Sequence, residues 1–318
     1  MPVNIGERMR LKMEAIPLPD LAGKTVLDIG TDHGFWAWLS ASRGASRVLG
    51  LDRNRIVKQS GFVDVIARNN ETARRYWPQC EFRHTNVGKQ WREFGRFDVV
   101  YLFSLYHHLY ENCGSHDAIW FWLWRHTAGE LLWENPTDIS DPVVWANVSA
   151  NKHSGYTREA IIQSATHYFD FEYIGPALHE ETRSVYRFTP KRTEPKTYYG
   201  VTVDGAGGAS KAFLHNDGAR ILEIEKALGI TPYPGSLNIR LGQSFDPPGA
   251  YRVALHDPVD KGNIDGEWEP HDFEFTPVAV NGIEAWTIRG YRYAENFIEL
   301  IAPVRLRDVI GKDVTVTC

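Results

Sequence analysis

The most constraining stretch of the chain is Val26 to Asp52, VLDIGTDHGFWAWLSASRGASRVLGLD. Thr25 to Ile29 is a short apolar run of the kind a buried parallel strand needs, and Gly30 to Gly34 follows it as a turn. The apolar spacing becomes helical from Phe35 to Arg43, and a second apolar run, Val48 to Leu51, ends in Asp52. Strand, glycine turn, helix and strand in that order make a β-α-β unit. Ligands of nucleotide type settle at the carboxyl ends of such strands, where glycines admit the backbone closely and the next helix offers unpaired N–H groups. An acid ending the second strand, here Asp52, can accept hydrogen bonds from both hydroxyls of a ribose.

The spacing D-x-G-x-x-x-G over Asp28, Gly30 and Gly34 resembles motif I of the class I S-adenosylmethionine-dependent methyltransferases, with Asp32 where the usual pattern has its middle glycine. It differs from the G-x-G-x-x-G order of a dinucleotide site. The resemblance implies S-adenosylmethionine as cofactor, held by Asp28, Gly30, Gly34 and Asp52. It also implies a role for Asn86, which follows the third strand where many methyltransferases place an Asp that reads the adenine amino group. Two plainer readings stand beside these: a structural turn in an unrelated α/β domain, and Asn86 as a turn residue.

The rest of this half supplies alternating elements. Glu7 to Ile16 reads as a short amphipathic helix, Ile56 to Asn69 has mixed helical spacing, and Glu71 to Trp77 is a helix stopped by Pro78. Cys80 to His84 and Phe97 to Phe103 are the third and fourth strands. Ser104 to Asn112, expected as a loop after the fourth strand, carries Tyr106, His107 and His108, candidates for acceptor positioning or general base work. The Trp-dense helix His116 to Thr127 packs on the sheet or offers a ring platform to a flat acceptor. Glu130 to Glu134 is the fifth strand, Asp138 to Asn151 a loop able to cover the site, and Thr157 to Thr166 a helix capped by Thr157 or Ser154. Phe169 to Ile174 and Thr182 to Thr189 close the unit as a pair of strands. That is the methyltransferase order over roughly residues 8–190, and the Tyr-His after the fourth strand is similar to the small-molecule and tRNA wobble-uridine branch.

A chain of 318 residues suits two domains. The polar run TPKRTEPKT with its two prolines marks the boundary, giving domains 1–190 and 198–318 joined by a linker over 191–197. Nine of the 11 tryptophans precede residue 150, so the halves differ in kind. The net charge of −5 gives no reason to expect a surface for nucleic acid. Cys80, Cys113 and Cys318 make neither a disulfide framework nor a zinc spacing. With no apolar run long enough to span a bilayer, the expectation is a cytoplasmic protein without membrane contact.

Past Tyr198, short alternating runs separated by Gly, Pro and Asp, with one helix at Ala219 to Leu228, predict a small β-barrel. Val203 to Phe213 (VDGAGGASKAF) is a glycine-rich loop whose backbone N–H groups can wrap phosphates, with Lys211 at its edge. Together with TPYPGSLNIRL (Thr231 to Leu241) and ENFIELIAPVRLR (Glu295 to Arg307), it is similar to the archaeal-type CTP-dependent riboflavin kinases, a family of cradle-loop barrels. That resemblance covers essentially the whole second domain. It implies CTP and Mg²⁺, with Ser236 and Asn238 at the metal and Glu299 at the acceptor's reacting hydroxyl. It implies Gly205, Gly207, Gly208, Lys211, Arg305 and Arg307 at the nucleotide. Differences from the family pattern are the spacing of the glycine loop, Tyr291 at a flavin-contacting threonine, and an insertion, Asp257 to Asp272.

The expected fold class is therefore α/β, a Rossmann-like seven-stranded methyltransferase domain followed by a small cradle-loop β-barrel. The expected function is a bifunctional transferase: a methyltransferase fused to a kinase that converts riboflavin and CTP to FMN and CDP. Three alternatives stay open. The kinase acts on another hydroxylated metabolite that the methyltransferase also modifies, the barrel is a flavin- or nucleotide-sensing module without turnover, or the first domain modifies tRNA. The sequence does not fix the methyl acceptor or the oligomeric state.

Overall fold

The structure, a computed structural model, describes residues 7–53, 56–57, 63–137, 139–177, 180–205, 212–258, 267–289 and 294–318. Contacts divide the chain into two units, Met1–Lys89 with Phe94–Lys191, and Gln90–Glu93 with Arg192–Cys318.

The first unit is built on β1 (Thr25–Ile29), β2 (Arg47–Asp52), a small hairpin of β3 (Ile56–Val57) and β4 (Val63–Asp64), then β5 (Cys80–His84), β6 (Phe97–Phe103), β7 (Thr127–Pro136), β8 (Phe169–Ala177) and β9 (Glu180–Pro190). The sheet order is β5-β2-β1-β6-β7-β9-β8. Its first five strands run parallel, and β9 pairs antiparallel with both β7 and β8. This is the seven-stranded methyltransferase arrangement that the element order predicts. The central strands are largely apolar because helices cover both faces: Val26, Leu27, Leu49, Val100, Leu102, Leu131 and Leu132 are all completely buried.

Helices α1 (Glu7–Ala15), α2 (Phe35–Ser42), α3 (Val65–Tyr76), α4 (Tyr106–Cys113), α5 (His116–His126), α6 (Pro142–Asn147), α7 (Ala150–His153) and α8 (Arg158–Ala165) surround that sheet. Three expectations are corrected. The segment from Ile56 to Asn69 is not continuously helical; α3 starts only at Val65, where the Asp64 carboxylate accepts from the Ala67 N–H. Ser104 to Asn112 is not a loop, because Tyr106, His107, Leu109 and Tyr110 bury one face of α4 and left-handed Gly114 ends it. Asp138 to Asn151 contains α6 and the start of α7; Asp141 caps α6 ahead of Pro142, a cap-proline signal hidden by the loop-like composition. Thr157 caps α8 as one of the two expected residues.

The second unit is an antiparallel sheet of β12 (Tyr251–Pro258), β13 (Trp268–Val280), β14 (Ile283–Arg289), β15 (Phe297–Ile301), β11 (Leu237–Leu241), β10 (Thr197–Val203) and β16 (Asp313–Thr317), in that order. A further pairing of β13 with β16 closes six of these strands into a ring and leaves β12 as an extension of β13. Helix α9 (Ala219–Leu228) stands where the sequence predicts it, and a short α10 (Leu306–Val309) precedes β16. Alternate residues fill the barrel: Leu237, Ile239 and Leu241 of β11, Ile298 and Leu300 of β15, Val314 and Val316 of β16. The insertion after Asp257 lengthens a hairpin, since Asp257 pairs with Glu269 and Pro258 with Trp268; residues 259–266 lie outside the described residues.

Burial in the first unit leaves two histidines neutral. The His116 ring is held between the Tyr106 hydroxyl at Nδ1 and the Gly155 carbonyl at Nε2, 2.8 Å each, and burial pushes it down to about 4. Burial, with the neighbouring His108, pushes His107 down to about 3. The unfolded chain protonates both rings near 6.5, so it binds more protons than the folded chain below that pH. Stability of the first unit is expected to be fully present above pH 6.5 and to fall as pH drops toward 4, by up to ~1.4 kcal/mol per pH unit for each ring. Urea melts across pH 4 to 7, wild type against His116→Gln, check this; an unchanged slope in the variant contradicts it.

Candidate functional site

The first unit contains a cavity of about 640 Å³ at the carboxyl ends of β1, β2, β5 and β6, within the range of small-molecule sites. Residues 28–33, Leu51, Asp52, Arg53, Thr85, Asn86, Ser104 and His108 are among its lining. Gly30 and Gly34 have φ of 77° and 80°, and Asp32 between them has φ 45°. Glycine adopts that region freely, and Asp is among the few other residues that tolerate it. Asp32 thus takes the backbone conformation for which a middle glycine is the easier choice. Its N–H donates to Asp52 Oδ2 at 2.7 Å, fixing one carboxylate oxygen of the residue expected at the ribose. A side chain at Gly34 would meet Trp38 and Phe82, so the turn cannot carry one there.

Charges in the cavity are shifted by burial. Asp28 is 2% exposed, accepts from the Thr31 hydroxyl at 2.7 Å, and is pushed up to about 7. Burial also raises Asp52. Asn86 lines the cavity, with its Oδ1 accepting from Asn112 Nδ2 at 3.0 Å. His108 lines the cavity as well, and burial together with the Arg53 cation holds it below the ordinary histidine range. It is therefore a neutral imidazole at neutral pH, able to accept a proton.

The histidine pair divides. His107 is 1% exposed, does not line the cavity, and at about 3 is too weak a base to share the role expected of both. Tyr106 is completely buried with its hydroxyl on His116. The ring platform is overturned likewise: Trp120 and Trp122 are completely buried and pack in the core. Sequence reasoning missed Lys12 and Ser104, which line the same cavity and join buried Glu134 and Arg183. Nothing in the helical pattern of α1 distinguishes Lys12 from a solvated lysine.

In the second unit the expected residues come from three separated segments. Asn238 and Glu299 are directly opposite in the β11–β15 ladder, and so share one face. Ser236 Oγ hydrogen-bonds Glu299 Oε1. Glu299 is 8% exposed. Gly205 borders Asn238, whose Nδ2 occupies the space a Cβ at 205 would need. Arg307 Nη2 donates to Asp204 Oδ1 at 3.2 Å, and the Arg305 guanidinium lies 5.9 Å from the Tyr233 ring centroid. Asp204 and Tyr233 are additions to the expected set. Gly207, Gly208, Lys211 and Tyr291 lie outside the described residues. Ser and Asn oxygens beside a carboxylate are donors suited to a hard divalent cation.

Residues 203–315 match the model of the CTP-dependent riboflavin kinase family, described as "Domain of unknown function DUF120". Over 115 residues the chain is 36% identical to a riboflavin kinase of Methanocella arvoryzae, covering 35% of this chain and 50% of the relative. Over 90 residues it is 36% identical to one of Pyrobaculum arsenaticum, covering 28% and 43%. The chain thus spans half the length, or less, of these curated relatives. An S-adenosylmethionine dependent methyltransferase of known structure from Mesorhizobium loti covers 57% of this chain and 98% of its own, at 13% identity and a TM-score of 0.41. The strand order, rather than that likeness, carries the fold of the first unit. The match to the kinase family model thus falls within the second unit, and the first unit has the seven-stranded sheet order of a methyltransferase.

The turn makes a direct prediction. Replacing Asp32 by Ala keeps a Cβ at positive φ and removes the side chain that eases it, whereas Gly removes the penalty. Asp32→Ala is expected to be about 1 kcal/mol less stable than Asp32→Gly. Denaturant midpoints of the two variants compare them, and equal midpoints would contradict the assignment.

Proposed function

We propose that the chain is a bifunctional transferase, in which the second unit phosphorylates riboflavin from CTP and the first transfers a methyl group from S-adenosylmethionine. The observation that supports the kinase reading most is the convergence of Ser236, Asn238 and Glu299, from two separate family motifs, on one face of the barrel. Glu299 would orient the primary hydroxyl of the acceptor and take its proton as oxygen bonds to the γ-phosphorus and CDP departs. Arg305, Arg307 and the loop at Gly205 would counter the phosphate charge. Ser236 and Asn238 would hold Mg²⁺, which supplies charge neutralisation at the phosphate oxygens when bound.

In the first unit, Asp52 would accept from the ribose hydroxyls, Asn86 would face the adenine, and Gly30 and Gly34 would let the backbone approach. The acidic lining suits a cofactor that bears a sulfonium, and the cofactor when bound supplies an activated methyl group. His108, neutral and in the first turn of α4, would accept the proton of an oxygen or nitrogen nucleophile. The insertion after Asp257 favours, as a second reading, a phosphoryl acceptor other than riboflavin.

Two outcomes test these roles. Chromatography of riboflavin with Mg²⁺ and CTP or ATP is expected to show FMN formed with CTP, reduced at least 100-fold in Ser236→Ala/Asn238→Ala and in Glu299→Gln. CTP binding without FMN would move the search to other hydroxylated metabolites. Calorimetry with S-adenosylhomocysteine is expected to show binding weakened at least tenfold in Asp52→Ala; no binding to the wild type would sink the methyltransferase reading.

A further inference from the structure

A second set of charges adjoins the cavity of the first unit, and neither resemblance accounts for it. Lys12, on α1, donates through Nζ to Ser104 Oγ at 2.7 Å and to Glu134 Oε2 at 2.8 Å. Ser104 donates to the same Glu134 oxygen at 2.8 Å, and Arg183 Nη1 donates to Ser104 Oγ at 3.2 Å. Arg183 also stands 3.5 Å from Glu134 Oε1 and 3.7 Å from Asp141 Oδ2. Lys12, Glu134, Arg183 and Asp141 are 8%, 0%, 5% and 5% exposed. Two cations and two carboxylates balance, as burial requires.

Balance alone would let the cluster lie anywhere in the core, yet Lys12 and Ser104 line the cavity. An ammonium has three N–H donors, and among the described residues two of those on Lys12 have partners. Glu134 is shared between Lys12 and Arg183, so neither cation is fully neutralised by it. Ser104 holds φ 55°, an uncommon conformation for serine that such sites retain when a side chain must be presented. Position completes the argument. Strand β6, which Ser104 follows, and β7, which bears the Glu134 carboxylate, lie across β1 from β2 and its Asp52. At ~4.8 Å per strand, the ammonium and Asp52 are roughly 10–15 Å apart, about the length of an extended nucleoside with a side arm. The same cavity also has apolar lining from Phe35, Trp36, Phe103 and Leu105.

We propose that Lys12, held in place by Ser104, Glu134 and Arg183, is a carboxylate-binding position in this cavity. One remaining ammonium donor suits a monoanion rather than a phosphate dianion, which calls for several donors. A carboxylate can arrive from two sources: the amino-acid arm of the cofactor, or an acidic methyl acceptor. That choice of sources rests on the methyltransferase reading; the binding position does not.

The test is calorimetry on the full chain with S-adenosylhomocysteine and with 5′-methylthioadenosine, which lacks the amino-acid arm. Benzoate and benzamide are then titrated into the chain, with and without S-adenosylhomocysteine. Lys12→Met is compared with wild type; Lys12→Met/Glu134→Gln keeps the buried charges balanced should the single variant unfold. Affinity for S-adenosylhomocysteine lowered at least tenfold, with 5′-methylthioadenosine unchanged, assigns the carboxylate to the cofactor. Benzoate binding preferred over benzamide in the wild type and lost in the variant, with both nucleosides unchanged, assigns it to the acceptor. Equal affinities of wild type and variant for all these probes overturn the proposal. A wild type that binds neither nucleoside overturns the methyltransferase reading instead, and benzoate alone then decides for or against Lys12.

Discussion

Parallel pairing of β1 with β2 on one side and β6 on the other is the constraint on which the first unit depends. It brings the carboxyl ends of three strands to one edge, and much of the cavity lining stands at those ends: the glycine turn after β1, Asp52 in β2, Ser104 after β6. Hydrophobic burial holds the strands in this register, because a one-residue slip would turn Val26, Leu27 and their neighbours out of their packing. The polar groups contribute little to that choice. Several are held at an energetic disadvantage, Asp28 and His107 by burial and Asp32 and Ser104 by backbone conformation. A stable apolar sheet lets a functional edge tolerate such residues.

The barrel solves a different problem. An antiparallel sheet has open edges, and the pairing of β13 with β16 removes them for six strands. Direct pairing of β11 with β15 makes residues far apart in sequence, Asn238 and Glu299, cross-strand neighbours. Those two residues therefore stand on ladder positions rather than in loops.

Much of this was legible in the residues. The β-α-β signature, the long apolar strands and Pro78 as a stop are local signals, and local signals survive in a single sequence. What could not be read was whatever tertiary packing decides. Helix α4 has no capping side chain at its start and forms because its apolar face is covered. The division between His107 and His108 depends on which face of that helix meets the core, information that two adjacent identical letters do not carry. Lys12 is separated from Glu134 by most of the domain, so no spacing rule could join them. In the barrel the motifs pointed to candidate residues, while the contact between Ser236 and Glu299 needed the folded strands to appear.

The close approach of Gly205 to Asn238 has a consequence for descent. Any side chain at 205 would claim the volume of the Asn238 amide, so the glycine loop and the strand motif form one steric unit. Neither position can drift alone: a larger residue at 205 requires a smaller or rotated one at 238, and a lost amide leaves a gap that only then frees the loop. Across diverging relatives the two sites should change together or not at all, and a lineage that abandons the one should show relaxed choice at the other.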